Sequence, residues 1–207
     1  KELVENSLDA GATRVSVHLR SGGRTSIRIV DDGCGMRRDD ALMCLERHAT
    51  SKIRTVEDLV QVGTLGFRGE AIPSIAAVSR FALVTRPHDE AGTSIRVEAG
   101  KLVDVSEAGC AAGTEIEVRS IFYNLPVRRK FLRTTGTELG HCLEAVTRQA
   151  LGRPDVDFEV RHDGREVLRA PRSADLAARA RDLLGRHGGS LVPVDFEERG
   201  IAVSGLI

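Results

Sequence analysis

The sequence predicts an α+β fold in which helices pack on a mainly antiparallel sheet, and three observations carry that prediction. Apolar residues alternate in four successive runs, Phe81 to Val84, Ser94 to Val97, Leu102 to Val105 and Glu115 to Val118, the pattern of strands half-buried in a sheet. Asp163-Gly164 joins two further alternating runs, 156–162 and 165–169, as a hairpin turn does. Stretches of helical spacing stand before and after these runs.

Taken in order, Leu3, Val4 and Leu8 repeat at helical spacing up to Asp9-Ala10-Gly11, so residues 1–10 are predicted helical, with Gly11 as terminator. Arg14 to Leu19 and Ser26 to Val30 alternate on either side of Ser21-Gly22-Gly23. They form a hairpin that runs into Asp31-Asp32-Gly33-Cys34-Gly35. Residues 39–45 are helical in spacing. The polar stretch Arg47 to Lys52 and a short helical pattern at 56–60 complete a middle region resembling a lid. A short helix at 71–78 precedes the four strands. Arg128 to Leu132 begins a helical stretch, and Leu139, Leu143, Val146 and Ala150 form one face of a longer helix that ends before Gly152 and Pro154. Ser173 is read as the N-cap of a helix running to Gly185. Strands near 191–194 and 201–206 have no later partner, so a boundary is expected, with one domain at 1–180 and the beginning of a second at 181–207. The chain opens at Lys1 without an initiator methionine and stops inside an apolar alternation, which reads as an excised fragment.

Composition bounds the function. The 207 residues are 41% hydrophobic and 29% charged, enough to bury a core. Thirty basic residues balance thirty acidic ones, which removes global electrostatics as an argument for binding nucleic acid or membrane. Cys34, Cys44, Cys110 and Cys142 form neither CxxC pairs nor a Cys/His comb, so zinc and a disulfide framework are not expected. No apolar run reaches about 18 residues, and a reducing cytoplasm is the expected compartment.

The chemistry-bearing residues fall into a few strings. Gly66-Phe67-Arg68-Gly69-Glu70-Ala71 places two glycines where a helix opens, so unpaired amides can face an anion; a plain loop-to-helix junction uses glycine too. No GxxxxGK[ST] and no GxGxxG after a strand is present, so a nucleotide would need a less common architecture. Glu2, Asn6 and Asp9 share one side of the first helix; a carboxylate there can serve as general base and an amide oxygen as Mg²⁺ ligand, although a solvated helix face has the same spacing. Asp31 ends a strand, where a carboxylate can accept an adenine amino proton while Gly33 and Gly35 admit a ligand, or else the string is a tight turn. Thr50, Ser51 and Lys52 suit phosphate oxygens or a solvated loop, and Thr114 suits a water-bridged base contact or simply a strand. Arg128, Arg129, Lys130 and Arg133 form the densest cationic cluster.

Lys1 to Thr13 (KELVENSLDAGAT), DDGCG at 31–35, RHATSKI at 47–53, GFRGEA at 66–71 and NLPVRRKFL at 124–132 resemble, in this order, the MutL family of DNA mismatch repair proteins. That family shares its GHKL ATP site with type II topoisomerases, large heat-shock chaperones and sensor histidine kinases; GFRGEA and NLPVRRKFL distinguish MutL among them. The resemblance implies the Bergerat α/β sandwich, a mixed sheet with helices on one face, holding ATP and Mg²⁺ under a mobile lid. It implies Glu2 as the water-activating base, Asn6 as the Mg²⁺ ligand and Asp31 as the adenine acceptor. Gly35 would belong to the adenine-side loop, and Thr50, Ser51 and Lys52 to the lid. Gly66, Phe67, Arg68, Gly69, Glu70 and Ala71 would form the phosphate turn, and Thr114 the water-bridged base contact. Asp32 departs from the family's usual asparagine and Val127 from a frequent alanine, changes expected to be tolerated. An N-terminal arm used in dimerisation and a γ-phosphate lysine of the following domain lie outside the string matches. The implied protein is a slow, Mg-dependent ATPase of the bacterial cytoplasm, associated with the nucleoid. Its N-terminal regions dimerise on ATP and couple the mismatch sensor MutS to a downstream nuclease and helicase, with DNA contacted mainly through the next domain. The competing readings are a nucleotide-gated interaction module without significant turnover and another GHKL ATPase.

Overall fold

The computed structural model of the chain describes residues 1–46 and 69–207. Its centre is an eight-stranded mixed sheet built from β1 (Arg14–Arg20), β2 (Ser26–Asp31), β3 (Arg80–Arg86), β4 (Gly92–Glu98), β5 (Lys101–Ala108), β6 (Gly113–Arg119), β7 (Asp157–His162) and β8 (Arg165–Ala170). The spatial order is β5-β4-β3-β6-β2-β1-β7-β8, and every neighbouring pair is antiparallel except β1 with β7. The predicted α+β class and mixed sheet are therefore present.

Register explains where the core ends and the site begins. Ile95, Leu83, Ile116, Ile29, Val17 and Val160 align across β4, β3, β6, β2, β1 and β7, an unbroken apolar row. On the same face, one pleat toward the strand termini, Val97, Phe81, Val118, Ile27 and Leu19 form a second. Most of these side chains are buried, each contributing roughly 1.5–3 kcal/mol of burial free energy. One pleat the other way, the row reads Thr93, Thr85, Thr114, Asp31, Val15 and Phe158. Four polar side chains stand where the pattern calls for apolar ones, and the buried hydroxyls of Thr85 and Thr93 cost about 2–7 kcal/mol each unless hydrogen bonded. The opposite face is polar, with Arg28 making two bonds to Glu115 at 2.5 and 2.7 Å.

The covering helices are α1 (Glu2–Asp9), α2 (Arg38–Met43), α3 (Ala71–Ala76), the single turn α4 (Pro126–Arg129) and α5 (Thr135–Gly152). Leu3, Val4 and Leu8 of α1 and Val146 and Ala150 of α5 are buried, while Leu139 and Leu143 pack partly buried against the core. The β1–β2 turn is a 3-10 turn at Ser21–Gly23 that seats against the start of α5. Asn124 anchors its loop by donating from Nδ2 to the carbonyl of Ala77 at 3.0 Å.

Helix α6 (Leu176–Leu184) begins at a different cap from the one expected: Asp175, not Ser173, accepts from the Ala178 amide, at 2.8 Å. The Ser173 hydroxyl instead bonds Pro171 and Asp182. Arg179 of α6 is fully buried and donates to the carbonyls of Pro154 and Val156, which ties the helix to the start of β7. After the short α7 (Arg186–Gly189), β9 (Pro193–Glu198) and β10 (Ile201–Leu206) pair with each other in a separate two-stranded sheet. No helix among the described residues is long and apolar enough to cross a membrane.

Candidate functional site

Asp31 ends β2 with its carboxylate turned into the protein, 9% exposed. The Ser7 hydroxyl of α1 donates to Oδ2 at 2.7 Å and the Gly33 amide to Oδ1 at 3.0 Å. No ion pair to Asp31 forms among the described residues. Burial pushes its pKa above the ordinary aspartate value, while bonds from Ser7, Gly33 and the Thr114 amide pull the other way and Asp32 adds a neighbouring negative charge. The result is a desolvated acceptor held by dipoles.

Beside it, Thr85 and Thr114 bring their hydroxyl oxygens to 3.0 Å. Thr85 is fully buried, donates to the Gly113 carbonyl at 3.1 Å and accepts from the Met36 amide at 2.9 Å. Thr114 is only partly buried. The loop after Asp31 is pinned from both sides. The Cys34 amide donates to the Ala10 carbonyl at 2.9 Å, and Gly35 lies so close to β3 that a Cβ would stand 2.2 Å from the Arg86 carbonyl oxygen. At Gly113 a Cβ would stand 2.1 Å from the Asp31 carbonyl oxygen. The missing side chains at 35 and 113 thus serve backbone-to-backbone packing, of the loop on β3 at Gly35 and of β6 on the end of β2 at Gly113.

Asp32 points the other way. It accepts from the Thr13 amide at 2.7 Å, the Thr13 hydroxyl at 2.5 Å and the Arg14 amide at 2.8 Å, fixing the turn between α1 and β1. Partial burial raises its pKa, yet these bonds prevail and hold it below the usual aspartate value.

On α1 the helical stripe is as expected: Glu2 is exposed and Asn6 and Asp9 are partly accessible, while Leu3, Val4 and Leu8 face the core. The Glu2 carboxylate meets the Lys1 ammonium at 3.4 Å. Glu5, absent from the sequence-based candidates, is buried and accepts from Gln149 of α5 at 2.9 Å and from Lys1 at 2.8 Å. These bonds lock the rotation of the helix that presents Glu2 and Asn6.

Gly69 adopts φ +62°, Glu70 takes the N-cap position of α3, and Ala71 starts that helix. Gly66, Phe67 and Arg68 lie outside the described residues, as do Thr50, Ser51 and Lys52. Sequence reading missed Ser7, Thr85, Glu5 and Gln149. Signals for two of them existed: Ser7 sits four residues after Leu3 and three after Val4, on the apolar stripe, and Thr85 continues the inward alternation Phe81, Leu83.

Residues 1–119 match the family described as "Histidine kinase-, DNA gyrase B-, and HSP90-like ATPase". The chain is therefore a GHKL-class ATPase domain, the class to which the mixed sheet and its helices belong. It is 54% identical to the DNA mismatch repair protein MutL of Anaeromyxobacter dehalogenans strain 2CP-C, a match covering 100% of the chain and 34% of that protein. Against the same-named protein of Citrifermentans bemidjiense, identity is 53%, with 100% of the chain and 32% of the relative covered. Among solved structures, the Aquifex aeolicus MutL ATPase domain complexed with ADP superposes with a TM-score of 0.75 at 36% identity, over 94% of this chain and 69% of that one. The chain belongs to the MutL family of DNA mismatch repair proteins, and it spans about a third of the length of the curated relatives it matches.

Proposed function

We propose that the chain is the nucleotide-binding core of a MutL ATPase region, binding ATP with Mg²⁺ and hydrolysing it slowly. The observation that carries this reading is Asp31, a buried carboxylate fixed by Ser7 and Gly33 beside the partly accessible Thr114. A desolvated acceptor of this kind gains most from an N–H donor, and the exocyclic amine of adenine is one. The relative solved with ADP supports the same ligand class.

Within this reading Asp31 orients the base and Thr114 contacts it through water, with Gly35 in the loop alongside. Glu2 polarises the attacking water, and the Asn6 amide oxygen is a hard ligand for the cation. The donor set fits Mg²⁺, which keeps several waters and takes only one or two protein ligands beside phosphate oxygens; among the described residues there is no cluster of three or more His, Cys, Asp or Glu able to hold a metal alone. Bound Mg²⁺ supplies charge neutralisation of the triphosphate. Gly66, Phe67, Arg68, Gly69, Glu70 and Ala71 form the phosphate turn, and Thr50, Ser51 and Lys52 the lid.

In the whole protein, ATP binding drives dimerisation of the N-terminal regions and couples MutS to a downstream nuclease and helicase, in the bacterial cytoplasm. Residues 181–207 begin a second domain that carries most of the DNA contact; the separate β9–β10 sheet supports a division there. A second reading, signalling by occupancy without significant turnover, draws on the exposure of Glu2, whose side chain is 53% accessible and so competes poorly with bulk water for a fixed orientation. In the full-length protein, Glu2→Ala is expected to bind ATP and fail to turn it over; undiminished turnover would overturn the assignment. Mismatch repair retained in Glu2→Ala but lost in Asn6→Ala would favour the occupancy reading.

A further inference from the structure

We propose that Thr85 determines base specificity without touching the base, by fixing the Thr114 hydroxyl oxygen as a hydrogen-bond acceptor toward the cleft. The proposal rests on the adenine-site reading above and adds a residue to it.

Three short contacts converge on the Thr85 oxygen: the Met36 amide at 2.9 Å, the Gly113 carbonyl at 3.1 Å and the Thr114 hydroxyl at 3.0 Å. Three protons are available to fill them, one each from the Met36 N–H, the Thr85 O–H and the Thr114 O–H. The Gly113 carbonyl has no proton to give, so that contact takes the one on Thr85. The Met36 amide occupies one lone pair of the Thr85 oxygen. The remaining lone pair then accepts the Thr114 proton. Any other arrangement sets two oxygens 3 Å apart with no proton between them, around a side chain with no exposure to water, at the price of an unmade buried hydrogen bond.

Thr114 thereby spends its single proton inward, and its oxygen turns only lone pairs to the cleft. Asp31, its direct cross-strand partner, offers carboxylate oxygens, and the single Ser7 proton, facing that carboxylate at 2.7 Å and the Leu3 carbonyl at 3.2 Å, goes to the charged and nearer acceptor and is not available to a ligand. A water bridging Thr114 and Asp31 spends both of its protons on these two acceptors and turns only lone pairs to the base, so the floor of the proposed pocket is acceptor beside acceptor. It favours a ring carrying an exocyclic amine and disfavours the same ring carrying a carbonyl there, because an unpaired acceptor pair costs far more than a lost contact. Without the Thr85 oxygen, the Thr114 proton is free to rotate outward and serve a carbonyl.

The test is equilibrium binding of ATP and of inosine triphosphate, which replaces the amine with a carbonyl, to the full-length protein with Mg²⁺. Wild type is expected to prefer ATP, Thr85→Ser to keep that preference and Thr85→Val to reduce it about tenfold, the worth of one hydrogen bond. Equal weakening of both nucleotides in Thr85→Val, or an unchanged ratio, overturns the proposal, since a merely structural role moves both together. If Thr85→Val does not fold, Thr85→Ala removes the same hydroxyl from the Met36, Gly113 and Thr114 contacts. A reduced ratio there supports the proposal, and an unchanged one overturns it. A wild-type protein that binds ATP and inosine triphosphate equally defeats the adenine reading itself and this inference with it, whereas a wild-type preference that Thr85→Val leaves intact defeats only the inference.

Discussion

The Ser7 hydroxyl of α1 donates to Oδ2 of Asp31 at the end of β2, 2.7 Å away, and both residues are buried. This bond joins the helix carrying Glu2 and Asn6 to the strand carrying the proposed base acceptor, so the two ends of the proposed pocket share one support. Removing the donor in Ser7→Ala leaves an ionised carboxylate short of a charge-assisted bond, which costs about 1.5–3 kcal/mol at neutral pH. Burial already raises the Asp31 pKa, and loss of Ser7 raises it further. For a carboxyl whose folded pKa lies above its unfolded value, the ionised form burdens the fold, so stability is gained as pH falls through the folded pKa. The Ser7→Ala deficit is therefore expected to shrink on acidification. ATP affinity should begin to fall at a higher pH than in wild type, measured by thermal unfolding and nucleotide titration across pH 4–7.

Asp32 has the opposite sign. Its folded pKa is lowered, so its contribution is present above the unfolded aspartate value and lost as pH falls through the folded one. An asparagine can still accept the Thr13 and Arg14 amides through Oδ1 and offer its amide nitrogen to the Thr13 hydroxyl. Asp32→Asn is expected to cost less than about 1.5 kcal/mol at pH 7, the range of one ordinary hydrogen bond. Acid titration should show this difference narrowing below pH 4; a constant gap down to pH 2.5 would contradict it.

Gly35 allows no side chain. Its φ is +68° and an added Cβ would lie 2.2 Å from the Arg86 carbonyl oxygen, which belongs to a strand and cannot swing aside. Gly35→Ala is expected to destabilise the fold by about 1–3 kcal/mol and to weaken ATP binding in the same variant, because the clash displaces the loop beside the proposed base site. A stable variant with normal affinity would show that the loop relaxes freely.

Gln149 reaches from α5 to the buried Glu5 carboxylate at 2.9 Å. Gln149→Ala removes the donor from α5 and leaves the carboxylate to Lys1 alone at 2.8 Å, and a loss of about 1 kcal/mol is expected on thermal unfolding. Since Glu5 sets the rotation of α1, turnover should fall more than ATP affinity does. Equal loss of both would mean that Gln149 matters only for folding.

Much of the fold was legible because its signals are local. The alternation of β3, β4, β5 and β6 and the Asp163-Gly164 hairpin follow from residue spacing alone. The sheet order was not, since placing β6 between β3 and β2, and β7 parallel to β1, depends on partners far apart in sequence. Asp175 rather than Ser173 caps α6, its carboxylate accepting from the Ala178 amide while the Ser173 hydroxyl is taken up by Pro171 and Asp182; two cap-forming residues two positions apart cannot be ranked by type. At the candidate site, Asp31 stands out through its motif. Thr85 and Ser7 do not, for a hydroxyl on an apolar stripe acquires a role only from what the register sets opposite it, here Thr114 and Asp31.

The most direct measurement is titration of ATP with Mg²⁺ into the full-length protein and its Asp31→Asn variant, with thermal unfolding as a check on folding. The amide trades one acceptor for a donor at the proposed site of the exocyclic amine, so wild type is expected to bind while Asp31→Asn, still folded, loses roughly a hundredfold or more in affinity. A folded Asp31→Asn protein that binds ATP as well as wild type does would contradict the assignment of this pocket.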